Sequence, residues 1–304
     1  MSFDLLRGSG REVVKFLRAV STAVLDRKIK VRLDFRQTMS FHPPAAILLF
    51  ATLDHVVASS SLLKPITILD PYATRPREVL KQIGIHEISG DRCELVPQRE
   101  DVVYWKATKG ATQSGDKLAM LEIVADRVNE AQANTLRVSG LRRGVSEAVA
   151  NSVDHAYLHP TNHASIGPDG TKWWMFTQLR DGIFIVTVCD IGCGYRATIG
   201  QNLPERFVAR CATLFGGSNL DARAIRTAMA YGRSGTREGH RGKGSADAMS
   251  VIEKHGQGEL FVLSNSGWMN YSFQAGKWTE ADGALGIDIR GTIVWWKLPL
   301  KGFT

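Results

Sequence analysis

The sequence predicts an α/β protein, in which a small α/β unit leads into a larger one that carries the functional residues. Three patterns lead there. Strand and helix signals alternate through the first hundred residues, as in a layered α/β unit. Two apolar runs, 172–179 and 183–189, flank Arg180-Asp181-Gly182, which holds the Asp-Gly signal of a tight hairpin. A helical pattern over 245–255 stops at Gly256, and strand-like runs surround it.

Each element has its own reason. Residues 30–35 (KVRLDF) alternate polar and apolar side chains like a half-buried strand. Residues 44–59 are apolar almost throughout and open on proline, whose missing N–H costs nothing in the first turn of a helix. A short strand over 66–70 and a helix over 76–83 follow. The polar stretch 106–117 (KATKGATQSGDK) reads as a linker, so the units are expected to span 1–112 and 113–304. The second unit begins with helical patterns over 118–133 and about 136–157, the latter ended by Pro160 and a polar loop. Residues 195–241 are polar and basic, with a helical stretch at 219–231. Further strands are expected at 259–264, 268–273 and 292–298. Trp173-Trp174 and Trp295-Trp296 read as sheet residues rather than base-stacking platforms.

Composition narrows the function classes. The 304 residues are 44% hydrophobic and 22% charged, and no apolar run approaches the roughly 20 residues of a membrane span. The N-terminus (MSFDLLRGSG) lacks the apolar core of a secretion signal, so a cytoplasmic protein is expected, with no membrane partner. Four cysteines (Cys93, Cys189, Cys193 and Cys211) are too few for a disulfide framework in a chain this long, and Cys189 and Cys193 lack CxxC spacing. His155, His159 and His163 recur every four residues, but Pro160 interrupts the helix that would align them on a metal. The net charge of +8 suits an anionic partner: a nucleotide, a nucleic acid or an acidic protein.

The chemistry concentrates in four places. In SEAVANSVDHAY (146–157), Glu147, Asn151 and His155 are spaced four apart and share one helix face. Val145, Val149, Ser152 and Ala156 lie roughly opposite and can pack on a sheet. The run 184–190 is an apolar strand ending on Asp190 and entering Asp190-Ile191-Gly192-Cys193-Gly194. A carboxylate there can accept a hydrogen bond from an exocyclic amine such as adenine N6, while the glycines admit a flat ring. GHRGKG (239–244) precedes a helix whose free backbone N–H groups and positive dipole end suit phosphate. Its spacing is neither a Walker P-loop nor a dinucleotide GxGxxG. Gly291-Thr292 opens the last strand.

Taken in order, Glu147/Asn151/His155, Asp190/Gly192/Gly194, Gly242/Gly244 and Gly291-Thr292 resemble the N, G1, G2 and G3 boxes of the GHKL ATPases and kinases. The 146–157 stretch is most similar to the anti-sigma-factor serine kinases. The resemblance covers about residues 115–304 and implies a Bergerat α/β sandwich, a mixed sheet covered by helices, that binds ATP with Mg²⁺. It implies Asn151 as the Mg²⁺ ligand, Glu147 as general base and Asp190 as the adenine reader with Thr292 beside it. Gly192 and Gly194 would shape the adenine pocket. Gly242, Lys243 and Gly244 would meet the phosphates, and His155 stands where many such kinases carry a histidine, as a nucleotide contact or to close the helix end. The arginine-rich segment 195–243, with Arg196, Arg206, Arg210, Arg223, Arg226, Arg233, Arg237 and Arg241, corresponds to the ATP lid. The first unit loosely resembles STAS-like domains, the partners of those kinases. Where such domains carry a phosphorylated serine, this chain has Pro43, which has no hydroxyl.

These readings lead to an ATP-dependent regulatory switch with slow hydrolysis and a regulatory protein partner. The alternative is a serine/threonine protein kinase in which Glu147 activates a substrate hydroxyl. A further alternative is a non-catalytic nucleotide or nucleic-acid binding module. A homodimer is a secondary expectation. A histidine kinase is disfavoured because 118–133 holds no phosphoacceptor histidine.

Overall fold

The computed structural model describes residues 2–6, 8–103, 105–113, 121, 126, 138–158, 166–215, 219–233 and 244–300. It is a mixed α/β structure around one large antiparallel sheet of seven strands. These are β5 (Lys106–Gly110), β6 (Trp173–Arg180), β7 (Ile183–Asp190), β8 (Gly258–Ser264), β9 (Gly267–Gln274), β10 (Lys277–Ala284) and β11 (Thr292–Pro299), in the order β10-β9-β8-β11-β7-β6-β5. The last strand in sequence is thus inserted at the centre, between β8 and β7. Asp181 and Gly182 adopt positive φ of 51° and 69° in the β6–β7 turn, the conformation that the Asp-Gly signal demands.

The N-terminal segment lies on one face of this sheet. It comprises the short strands β1 (Ser2–Phe3) and β3 (Ser40–Phe41), the parallel pair β2 (Val31–Asp34) and β4 (Ile66–Leu69), and several helices. Helix α1 (Gly10–Ser21) buries Val13, Val14, Leu17 and Val20, the stripe of an amphipathic helix. Helix α2 (Pro43–Ser59) is apolar around most of its circumference and is correspondingly buried, packing on β6 and β7. Helices α3 (Thr74–Gln82), α4 (Ile85–Ser89) and α5 (Glu100–Val103) complete the layer. Its core is continuous with Trp174 and Phe176 of β6, Cys189 of β7, Phe261 and Leu263 of β8, and Ile293 and Trp295 of β11.

The opposite face of the sheet carries α6 (Val138–Asp154), α9 (Leu220–Arg233) and α10 (Gly244–His255), while α7 (Tyr195–Asn202) and α8 (Glu205–Leu214) connect β7 to α9. Its core takes the alternate residues of the same strands: Met175, Phe184, Val186, Val188, Val262, Val294 and Trp296. Side chains two apart share a face. Both faces are covered, so the central strands read as continuous apolar runs although they are antiparallel. Both tryptophan pairs are buried in this sheet, as their sequence context indicated.

Two expectations need correction. Lys106–Gly110 is not linker: it pairs with β6 in the register Lys106↔Thr177 to Gly110↔Trp173 and forms the sheet's edge. Its polar composition reflects that edge position, where Lys109 reaches back to Asp54 of α2. The segment 195–241, expected to be polar, also contributes to the core, because α9 buries Ala222, Ile225 and Met229 against the sheet. Residues 118–133 fall, apart from 121 and 126, outside the described residues. No helix among the described residues is long and apolar enough to cross a membrane.

Candidate functional site

Three strand ends meet at Asp190. In the ladder, Thr292 of β11 pairs with Asp190 of β7 on one side and Ser264 of β8 on the other. The Ser264 and Thr292 hydroxyls are 3.2 Å apart. Asp190 is 6% exposed. Its Oδ1 accepts the Gly192 N–H at 2.8 Å and its Oδ2 lies 3.4 Å from Ser152 Oγ of α6. Burial pushes the Asp190 carboxyl up to about 6, opposed by the hydrogen bonds from the Gly192 and Thr292 amides and from Ser152. Burial first, and the Asp190 charge second, push Tyr195 up to about 12; the same two causes raise Tyr157.

The glycines are there for space. A Cβ on Gly192 would lie 2.4 Å from the Ala156 carbonyl oxygen, where the loop crosses the end of α6. Gly291, at φ 145°, passes so close to Asp190 that a Cβ would stand 2.2 Å from its carbonyl oxygen. Gly194, at φ 75°, opens α7 beside Ser264 and Asn265. Asn265 joins the pieces: its Nδ2 donates to the Cys193 carbonyl at 3.1 Å, and its Oδ1 accepts the Gly291 N–H at 3.3 Å. The Cys193 N–H donates to the Ala156 carbonyl at 2.7 Å, which ties the loop to α6.

Helix α6 runs from this cluster to α10. Val145, Val149, Ser152 and Ala156 are buried, as the helical spacing required, and Asn151 is exposed. Glu147 and His155 are half-buried. His155 Nδ1 is buried and has no hydrogen-bond partner among the described residues. At the other end, Gly144 lets α10 approach so closely that a Cβ there would lie 2.7 Å from Val251 Cγ2. The first turn of α10 therefore faces Glu147. Burial raises the Glu147 carboxyl above its usual range, Asp247 of α10 adds to this, and Arg143 opposes it. Arg143 and Asp247 stand 3.8 Å apart.

The structure therefore brings together Asp190, Gly192, Gly194 and Thr292 at one end of α6, and sets Glu147 against the start of α10, which Gly244 opens, at the other. Gly242 and Lys243 lie outside the described residues, as do Arg237, Arg241, His159 and His163. Sequence reasoning missed Ser152, Ser264, Asn265 and Asp247. Asn265-Ser266 was legible as a hairpin turn between two strand-like runs, but Asp247 carried no signal beyond being an acid in a helix's first turn. Neither a scan against protein-family models nor a search of curated proteins returns a match for this chain.

Proposed function

We propose that this chain binds Mg-ATP along α6 and uses slow turnover to switch a regulatory interaction, in the manner of the GHKL proteins that its motifs resemble. On this reading the sheet and α6, α9 and α10 are a Bergerat-type sandwich, and the N-terminal layer that precedes β5 is a STAS-like unit. The observation that carries the proposal is the linear order of chemistry along one helix. Ser152 adjoins the buried carboxylate of Asp190, the His155 carbonyl lies 3.8 Å from Cys193 Sγ in the glycine loop, and Glu147 adjoins the start of α10. From His155 to Glu147 is about 12 Å of helix. One end offers an acceptor among glycines, and the other a helix N-terminus suited to phosphate.

The residues fit the ligand chemically. Asp190 accepts from two backbone amides and the Ser152 hydroxyl, and a carboxylate has about four lone-pair sites. One site is left for an exocyclic amine. The Asn151 amide oxygen is a hard donor of the kind Mg²⁺ takes, usually alongside waters and phosphate oxygens. Mg²⁺ would neutralise charge on the phosphates. Glu147, with its proton affinity raised, is suited to accept a proton from water or from a protein hydroxyl.

Calorimetry with Mg-ATP and Mg-GTP, followed by incubation with γ-labelled ATP, tests this. Saturable binding of ATP in preference to GTP and slow release of labelled phosphate are expected. Label on a second protein would select the kinase form of the reading. Absence of saturable ATP binding by the folded chain would overturn it.

A further inference from the structure

We infer that Asp70, His86 and Cys93, in the N-terminal layer, form a second site that binds a zinc-class divalent ion. A ring nitrogen of His86, a carboxylate oxygen of Asp70 and Cys93 Sγ lie within 4.8 Å of one another, the only such group among the described residues. His86 Nε2 and Asp70 Oδ1 are 2.9 Å apart. Two ligands about 2.0–2.2 Å from a tetrahedral zinc ion stand roughly 3.3 Å apart, so little movement converts this contact into shared coordination. Nitrogen, thiolate and carboxylate together select zinc or its neighbours over Mg²⁺ or Ca²⁺, which prefer oxygen alone.

The three residues come together because the local chain is built to bring them there. Asp70 follows directly on β4. His86 sits on α4 and is 2% exposed. Gly90, at φ 71°, closes α4 and turns the chain back, so that the Asp91 N–H donates to the His86 carbonyl at 3.0 Å. Asp91 then anchors the returning strand of chain. Its carboxylate accepts the Ile68 N–H of β4 at 3.0 Å and the Ser89 hydroxyl at 3.0 Å, and pairs with Lys64 at 2.8 Å. Cys93 is delivered beside Asp70 and His86 two residues after this anchor. A bare Asp–His hydrogen bond would need none of this on its cysteine side.

The donor set also says what kind of site it is. Three protein ligands leave a fourth tetrahedral position for water or an incoming group, the pattern of an open rather than a closed structural site. His86 Nδ1 is buried with no hydrogen-bond partner among the described residues. Metal-binding histidines gain affinity when the second nitrogen is held, typically tenfold or more. The expected site is therefore exchangeable, loading and unloading with metal supply, and lies apart from the α6 residues.

The test uses the full-length chain and two metals alone. Titration with Co²⁺ should give one equivalent of binding with a thiolate-to-cobalt band in the near-ultraviolet, which Cys93→Ser abolishes while the far-ultraviolet circular dichroism is unchanged. Zn²⁺ should slow alkylation of Cys93 in the wild-type chain by roughly tenfold or more, a readout that needs no variant. Asp70→Asn should weaken Zn²⁺ binding without affecting Mg-ATP affinity. A missing thiolate band, equal alkylation of Cys93 with and without Zn²⁺, or Zn²⁺ affinity that survives both substitutions would overturn the assignment.

Discussion

Replacing Asp190 by asparagine should improve the fold at neutral pH and damage the site at the same time. The carboxyl rises from 3.8 to about 6 because it is buried, which costs the charged form about 3 kcal/mol relative to the unfolded chain. The sign follows from proton linkage. An acid whose folded pKa is raised holds its proton in the native state after the unfolded state has lost it. Stability from this group is full below about pH 4 and is lost as pH rises to about 6, staying lost above. Asparagine does not titrate. The stability difference, variant minus wild type, should therefore move in the variant's favour by about 3 kcal/mol between pH 4 and pH 8. The amide surrenders an acceptor to Gly192 or Thr292, a loss of about 0.5–1.5 kcal/mol that is the same at each pH. The slope rather than the level is the diagnostic. Urea unfolding at several pH values measures it, and calorimetry at pH 8 should show ATP binding weakened roughly ten- to a hundredfold through the lost charge-assisted bond. Parallel pH curves for the two proteins, or unchanged ATP affinity in a folded variant, would refute the reasoning.

Other perturbations separate the remaining parts. Glu147→Ala should retain Mg-ATP binding and lose turnover, measured as phosphate release; turnover at the wild-type rate would remove Glu147 as the base. Asp247→Asn should move the acidic limb of the pH–rate profile to lower pH, because it deletes a charge that raises Glu147. Gly291→Ala forces a Cβ to 2.2 Å from the Asp190 carbonyl at φ 145°, and should destabilise the chain by about 3 kcal/mol or more in denaturant titration. Hydrogen exchange should find α9 protected with or without nucleotide, since its apolar face is buried. Mg-ATP should add protection over α7 and α8, and protection there by oligonucleotide alone would favour the nucleic-acid reading.

Much of the fold was legible because local chemistry and tertiary placement agree. The β6–β7 hairpin follows from Asp181-Gly182, and α2 from an apolar run that begins on proline. The face of α6 that packs on the sheet follows from four positions at helical spacing. What stayed hidden was decided by partners far away in sequence. β10 (KWTEADGA) is polar because it is an exposed edge, and only its pairing with β9 makes it a strand. β5 looked like linker for the same reason. In the candidate site, the residues with motif spacing were readable, whereas Ser264 and Asn265 matter only because β11 inserts beside β8 and brings Thr292 to them. That insertion carries no local signal.

The same insertion bears on how a nucleotide site could inform the N-terminal layer. Along β7 adjacent residues face opposite ways, so Asp190 belongs to the site and Cys189 to the core shared with α2. Cys189 pairs in register with Trp174 of β6, whose indole N–H donates to Asp54 of α2 at 2.9 Å. Asp54 is 7% exposed and also accepts Lys109 Nζ of β5 at 2.7 Å. A buried carboxylate with both partners is rigid, and losing one partner is costly. Two strand positions thus separate the buried acid of the site from the buried acid that fastens the helical layer. Such a short, stiff path transmits a displacement only if an element at its end has two arrangements. In the proposed switch, α7 is the element that continues this path beyond the site. It begins at Gly194, directly after the site loop. Its buried anchor is the Tyr195 N–H on Ser264 Oγ at 2.9 Å, within the row that also holds Thr292 and Asp190.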